Sequence, residues 1–124
     1  MTQRDPLTEK IIGLAIEVHR ELGPGLLESV YESCLCHEFA LNNVSFRRQV
    51  AMPITYKSEK LDSGFRADVI VDDEVLLELK SVEKLMPIHD AQILTYLKLS
   101  GIPKGLLLNF NERVLKNGIK RFVV

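Results

Sequence analysis

The sequence has no tryptophan, few aromatic residues, two cysteines and almost no net charge. No apolar stretch approaches the roughly 20 residues of a membrane helix, and the start, MTQRDPLTEK, lacks the apolar core of a signal peptide. Cys34 and Cys36 are two residues apart in a helical pattern, which directs them to different faces, so we expect neither a disulfide nor a four-cysteine metal site. These absences predict a cytoplasmic protein with no membrane partner.

The net charge is small, but the charged side chains are unevenly distributed along the chain. A formal net charge of −1 argues against binding nucleic acid by bulk charge. Residues 1–97 carry 10 basic and 16 acidic side chains, whereas residues 98–124 carry one acidic side chain, Glu112, and six basic ones: Lys98, Lys104, Arg113, Lys116, Lys120 and Arg121. A basic C-terminal surface is compatible with a phosphate backbone and equally with a solvated face.

The apolar residues are sufficient for one core, because 46% of the 124 residues are hydrophobic. Helical spacing covers residues 6–22, about 26–41, and a stretch from Pro87 to Gly101. Strand-like stretches cover residues 46–51, 54–57, 65–71, 75–81, 105–110 and 119–124. We therefore predict an α/β fold, mixed α+β in layout, in which a small sheet is flanked by helices in a single domain of residues 1–124.

The hairpin GFRADVIVDDEVLLELKS carries three charges that a half-buried hairpin does not need. Alternation puts Glu78 and Lys80 on one face of the second strand. It puts Asp68 on a face with Arg66 and Ile70, opposite to the face formed by Phe65, Ala67, Val69 and Val71. Because paired residues lie on the same face, a three-residue turn, 72–74, would place Asp68 opposite Glu78, whereas a two-residue turn would mix the faces. We predict an odd-numbered turn, or an even one with a bulge.

Asp68, Glu78 and Lys80 together suggest chemistry. Two adjacent carboxylates repel each other, which raises one pKa, and a divalent cation relieves the repulsion. A neighbouring lysine is able to position a water, stabilise an anionic transition state, or act as a proton donor or acceptor. The alternative is an ion triplet on an exposed hairpin face.

The second helix offers a further acid. Glu28, Tyr31, Leu35 and Phe39 follow helical spacing, so the stripe should face the core with Glu28 on it. A carboxylate at an inward position needs a partner. Glu28 is interpreted either as a third acidic group directed at Asp68 and Glu78 or as an N-terminal capping residue in the first turn, where the helix dipole favours negative charge.

Polar residues of the other helices are candidates for supporting roles. His89, Gln92 and Tyr96 share one face of the third helix, which suits either contact with a phosphate or a lysine, or a plain polar edge. His19 is a candidate metal ligand, with a satisfied boundary histidine as the alternative.

At this point the sequence resembles a known pattern. Asp68 followed by Glu78-Leu79-Lys80 resembles the PD-(D/E)xK nuclease superfamily, and Glu28 with Gln92 and Tyr96 is similar to its RecB-like branch. The segment GLLESVY, residues 25–31, matches the motif that names the GxxExxY family, and the blocks GPGLLESVYE, FRADVIV, LLELKSVE, AQILTYLKLSG and GLLLNFN extend the resemblance over nearly the whole chain. The residue before Asp68 is alanine rather than proline, at a position that the superfamily tolerates.

The resemblance implies a restriction-endonuclease-like core in α-β-β-β-α-β order. It implies Mg²⁺ or Mn²⁺ held by Asp68, Glu78 and the Leu79 carbonyl, with Glu28 as a direct or water-mediated ligand. Lys80 would activate the attacking water. Gln92 and Tyr96 would support Lys80 or contact the substrate, and Tyr31 and His19 are the remaining supporting candidates.

We therefore expect a metal-dependent nuclease that hydrolyses phosphodiester bonds, with DNA favoured over RNA by analogy only. One small domain offers little surface to hold a duplex, which favours a homodimer. Two rivals stay open: a nucleic-acid-binding module that cuts slowly or not at all, and a protein-interaction or regulatory module whose charges are structural.

Overall fold

A computed structural model describes residues 5–124. Its helices are α1 (Pro6–Leu22), α2 (Glu28–Leu41) and α3 (Pro87–Ser100), and a 3-10 turn covers Leu115–Gly118. The strands are β1 (Phe46–Ala51), β2 (Ile54–Tyr56), β3 (Glu59–Leu61), β4 (Arg66–Val71), β5 (Val75–Lys80), β6 (Lys104–Asn109) and β7 (Ile119–Val123).

Five strands form one mixed sheet in the order β1-β4-β5-β6-β7. Only the pair β5–β6 is parallel in this sheet, and α3 is the crossover that this pair requires. The predicted α/β fold class is confirmed, and the order α-β-β-β-α-β is followed by α2, β1, β4, β5, α3 and β6. The stretch 54–57 contributes only the first strand of a separate hairpin, β2–β3, and neither β3 nor the 3-10 turn was predicted.

Two hydrophobic clusters lie on opposite faces of the sheet. One joins the sheet to α1 and α2 and includes Tyr31, Leu35, Phe39, Val69, Leu77 and Leu106. The other joins the sheet to α3 and includes Ile70, Leu76, Ile93, Leu97 and Leu107. Because Leu76 and Leu77 belong to different clusters, the alternation of β5 places the even-numbered residues Glu78 and Lys80 toward α3.

The hairpin turn between β4 and β5 has three residues, which confirms the odd-numbered form of the prediction and needs no bulge. Val71 pairs with Val75, Ile70 with Leu76 and Val69 with Leu77. Asp72 and Asp73 adopt left-handed conformations with φ of 55° and 54°. Aspartate tolerates this conformation better than most residues, so the acidic turn has a structural reason.

The prediction that Ala67 shares a face with Val69 and Val71 is wrong. Ala67 belongs to the α3-side cluster, and the Phe65 ring lies 5.9 Å from that of Tyr96 on α3. Strand β4 therefore changes face at Asp68. The neighbouring strand is irregular at the same point: Gln49, at the position opposite Asp68, has φ of 50°, and the β1–β4 pairing is interrupted there.

The basic C-terminal segment is partly neutralised within the fold. Three of its six cations lie in ion pairs with acids of other elements: Lys104–Asp5 at 3.1 Å, Lys120–Asp90 at 2.6 Å and Arg121–Glu9 at 3.0 Å. No helix within residues 5–124 has both the length and the apolarity to cross a bilayer.

Candidate active site

The candidate site lies where β4 and β5 separate beyond the pair Val69–Leu77. There the two carboxyl groups replace backbone carbonyls as hydrogen-bond acceptors. The Leu79 N–H donates to Asp68 Oδ2 at 2.8 Å, and the Asp68 N–H donates to Glu78 Oε1 at 3.1 Å. Each carboxyl group is thus held by the strand that carries the other, which places Asp68 and Glu78 side by side.

Both carboxyl groups resist ionisation. Burial raises the pKa of Glu78 to about 8, and the negative charge of Asp68 adds to this shift. Burial also raises the pKa of Asp68. The hydrogen bond from the Leu79 N–H lowers this pKa in part, and the charge of Glu32 raises it further. The side chain of Glu78 is almost fully buried. The site therefore holds two acidic groups at the cost of electrostatic strain, which is a common property of functional sites.

Lys80 is the third member of the site and is held from α3. Its ammonium donates to Gln92 Oε1 at 3.2 Å, and Gln92 Nε2 donates to the Tyr96 hydroxyl at 3.1 Å. Burial, followed by the charge of Glu78, raises the pKa of the Tyr96 hydroxyl. Of the predicted polar face of α3, Gln92 thus contacts Lys80 directly and Tyr96 contacts Gln92. His89 has another role, because its Nδ1 accepts a hydrogen bond from the Met86 N–H at the start of the helix.

Glu28 is exposed, so the prediction that it points inward is wrong. The stripe is buried only from Tyr31 onward, because Glu28 is the first residue of α2 and lies beyond the edge of the core. Glu28 nevertheless reaches the rim of the site, since its Oε2 accepts from the Ser81 N–H at 3.3 Å, directly after Lys80.

Tyr31 and His19 are engaged by the protein itself. The Tyr31 hydroxyl donates to the Gly23 carbonyl at 2.6 Å and accepts from the Leu26 N–H, and its ring stacks on Phe110. His19 Nε2 lies 2.7 Å from the Glu112 carbonyl. A carbonyl only accepts, so Nε2 carries the proton and is not a metal ligand in this arrangement. Tyr31 fixes the loop before α2, and His19 fixes the loop after β6.

Several residues around the site were not singled out from the sequence. The Ser81 hydroxyl donates to the Leu26 carbonyl and joins the end of β5 to the start of α2. Asn109, fully buried beside Lys80 on β6, exchanges hydrogen bonds with both backbone groups of Val82. Serine and asparagine are common loop residues, so only the tertiary contacts reveal these roles. Glu32 and its hydrogen-bond partners on β1, Arg48 and Gln49, were likewise not singled out from the sequence.

The donor set fits a hard divalent cation. Among the described residues, no donor is bonded to Asp68 Oδ1 or Glu78 Oε2, which leaves one oxygen of each carboxyl group available. Mg²⁺ is usually bound by one or two carboxylates, with waters and substrate oxygens completing its shell. Within residues 5–124, no group of three or more histidine, cysteine or acidic side chains is arranged to hold an ion, so Glu28 is not gathered with the pair as a third direct ligand.

Comparison with known proteins agrees with this geometry. The sequence profile of the PD-(D/E)XK nuclease superfamily matches residues 5–122, and the chain belongs to this superfamily. No curated protein and no solved structure gives a significant match. Enzymes of the superfamily are nucleases that typically use divalent metals, so membership indicates nuclease chemistry on a nucleic acid.

Proposed function

We propose that the protein is a metal-dependent nuclease that hydrolyses phosphodiester bonds, with Asp68, Glu78 and Lys80 at its centre. The observation that carries the proposal is the gap between β4 and β5. There each of the two carboxyl groups accepts a hydrogen bond from the strand that carries the other, and each keeps one oxygen without a donor among residues 5–124. The Lys80 ammonium group, which α3 holds in place, lies beside them. An ion triplet on an exposed hairpin face would not bury Glu78.

Asp68 and Glu78, with the Leu79 carbonyl, are the proposed ligands of Mg²⁺ or Mn²⁺. A bound divalent ion would lower the pKa of water and neutralise charge on the phosphate. The raised pKa values of the two carboxyl groups fit this role, because ligand carboxylates must be ionised and a cation supplies the missing stabilisation. Glu28, at the rim, fits a water-mediated contact better than a direct one.

Lys80 is the proposed group that orients the attacking water and stabilises negative charge on the phosphate. The Gln92 side-chain oxygen accepts a hydrogen bond from the Lys80 ammonium group and so directs it. The Tyr96 hydroxyl accepts from the Gln92 amide and so orients that amide. In the reaction a water oxygen bonds to phosphorus, one P–O ester bond breaks, and the leaving oxygen takes up a proton. Positioning of this kind supplies a large share of catalysis in such displacements.

The finer assignments are also proposals. The GLLESVY motif supports membership of the GxxExxY family, and the Gln92–Tyr96 pair supports a RecB-like relationship. DNA as substrate rests on analogy, and a homodimer rests on the small surface that one chain offers a duplex.

Cleavage of labelled single- and double-stranded DNA, with RNA alongside, tests the function. The wild type with Mg²⁺ or Mn²⁺ is compared with Lys80→Ala and Glu78→Ala, and Lys98→Ala and Glu59→Ala serve as matched controls at exposed positions. We expect metal-dependent cleavage that is lost in the first two variants and kept in the controls. Nucleic-acid binding without cleavage of any substrate would favour the binding module, and neither binding nor cleavage would favour the interaction module.

A further inference from the structure

Strand β1 is irregular at the position that faces Asp68. The β1–β4 pairing is regular on both sides, with Arg48 opposite Val69 and Val50 opposite Ala67. Between them Gln49 has φ of 50°, a conformation that is unfavourable for a residue with a side chain. Such a conformation persists only where the surroundings hold it, and it is often found beside functional groups.

The contacts that hold Gln49 come from Glu32 on α2. Gln49 Nε2 donates to Glu32 Oε1 at 2.7 Å, and Arg48 donates to Glu32 Oε2 from Nε at 3.1 Å and from Nη2 at 2.8 Å. Glu32 is only 7% exposed, so its carboxylate requires these partners. We call Glu32, Arg48 and Gln49 the Glu32 clamp.

The irregularity is what brings both β1 side chains to one carboxylate. Consecutive residues of a regular strand point to opposite faces, so Arg48 and Gln49 would otherwise diverge. With Gln49 in the left-handed region, both reach the α2 side of the sheet. The same irregularity accompanies the change of face in β4, where Val69 packs toward α1 and α2 and Ala67 toward α3. Asp68 is the residue at which the face changes.

We infer that Glu32 is a positioning residue for Asp68: the Glu32 clamp holds the irregular segment of β1 and thereby directs the Asp68 carboxylate into the gap between β4 and β5. Glu32 does not contact the reacting atoms, since both of its oxygens are taken by the clamp. The inference rests on the proposed function, because it assigns Glu32 to the same metal centre. Residues that orient metal ligands typically change metal affinity about 10–100-fold when they are replaced.

The test is calorimetric titration of Mn²⁺ into wild type, Glu32→Gln and Arg47→Ala, together with the melting temperature of each protein. Arg47→Ala is the matched control, because it removes an ion pair with Asp73 from the neighbouring position of β1 without touching the clamp. We expect Mn²⁺ affinity to fall at least tenfold in folded Glu32→Gln and to stay at the wild-type value in Arg47→Ala. A purely structural Glu32 would lower the melting temperature alone.

Rescue makes the test specific. Glycine adopts positive φ without strain, so Gln49→Gly should keep the irregular segment without the clamp. We expect the double variant Glu32→Gln/Gln49→Gly to recover most of the lost Mn²⁺ affinity, and the double variant Glu32→Gln/Gln49→Ala not to recover it. Should Glu32→Gln fail to fold, Gln49→Ala at its exposed position supplies the same comparison, with the same tenfold loss expected.

The outcomes separate the two proposals. Suppose that the wild type binds Mn²⁺ and that folded Glu32→Gln, or Gln49→Ala where that variant is used, binds it with the same affinity. This result would overturn the role of the Glu32 clamp, but it would still support the proposed metal site. Absence of Mn²⁺ binding by the wild type would overturn both.

Discussion

Glu78 is a buried carboxyl group whose pKa is raised from 4.5 to about 8, first by burial and then by the charge of Asp68. In the unfolded chain the group ionises near its usual pKa, whereas in the folded protein it keeps its proton up to about pH 8. The folded state therefore binds more protons between these values, so the free energy of unfolding falls as pH rises through the window.

We predict that the metal-free wild type loses stability, on the order of a few kcal/mol, between pH 5 and pH 8. Glu78→Gln should remove most of this slope, because glutamine does not ionise. Urea unfolding at half-unit pH steps measures it, with Glu59→Gln at an exposed position as the control. An equal slope in wild type and Glu78→Gln would show that Glu78 is not the group responsible.

Residue patterns selected the members of the candidate site but not the contacts around them. Asp68, Glu78, Lys80, Gln92 and Tyr96 were all selected from spacing and resemblance, and the structure brings their side chains together. The roles of Glu32 and Ser81 depend on contacts between distant segments, which one sequence does not contain. Glu28 was placed inward because periodicity describes a helix face and not where the core ends.

At the scale of elements, α3 does more than cross between parallel strands. It packs on Leu76 and Leu107 and presents Gln92 to the end of β5. The position of Lys80 therefore depends on a residue of another element. In the proposed mechanism, a small displacement of Lys80 would lower the rate substantially.

We expect Gln92→Ala to lower kcat by between ~10-fold and ~100-fold while Mn²⁺ affinity stays unchanged, because Gln92 holds Lys80 and not the carboxyl groups. Lys98→Ala, at an exposed position of the same helix, is the control and should retain wild-type kcat. Cleavage kinetics at saturating substrate, paired with Mn²⁺ titration, measures both quantities. A loss of Mn²⁺ affinity in Gln92→Ala would place Gln92 in the metal site instead.

Element boundaries were predictable where local rules apply. The acidic turn was deduced to have an odd number of residues, or an even number with a bulge, because such a turn keeps Asp68 and Glu78 on one face. The pairing of Val71 with Val75 leaves a turn of three residues, which confirms the odd-numbered form. The change of face at Asp68 was not predictable, because it coincides with a left-handed Gln49 on the neighbouring strand that no local preference demands. β3 was missed because Glu59–Leu61 is a short and fully exposed strand without an apolar face.

At the scale of the whole molecule, charge sets how a nucleic acid is held. Half of the basic side chains of the C-terminal segment are already paired with acidic side chains. A cation in such a pair contributes less binding free energy to a phosphate, because the existing ion pair must first be broken. Affinity should therefore depend on few phosphate contacts and weakly on salt.

We predict that the slope of log affinity against log salt for double-stranded DNA is no steeper than about −3, since each neutralised phosphate contributes about −0.9. Binding is measured by fluorescence anisotropy with Glu78→Gln and without Mg²⁺, so that the DNA is not cleaved. The salt concentration is varied between about 50 and 200 mM, a range in which such slopes are roughly linear. Lys120→Ala should leave the slope unchanged, because Lys120 is paired with Asp90. A slope near −6 would mean that the ion pairs open to bind the backbone.

The central claim is that Asp68 and Glu78 form a strained acidic pair that a divalent cation stabilises. The most direct test is the melting temperature of wild type and Asp68→Asn, each with and without Mn²⁺. Asparagine keeps an oxygen that can accept from the Leu79 N–H and removes the charge.

We predict that Asp68→Asn melts higher than the wild type without metal, because asparagine carries no charge to be buried, and burial is the main reason why the pKa of Asp68 is raised. Mn²⁺ at about 100 times its Kd should stabilise the wild type by about 2.7 kcal/mol and Asp68→Asn far less. A wild type that does not respond to Mn²⁺, together with an Asp68→Asn variant that melts lower, would contradict the claim and make the pair a structural feature of the hairpin.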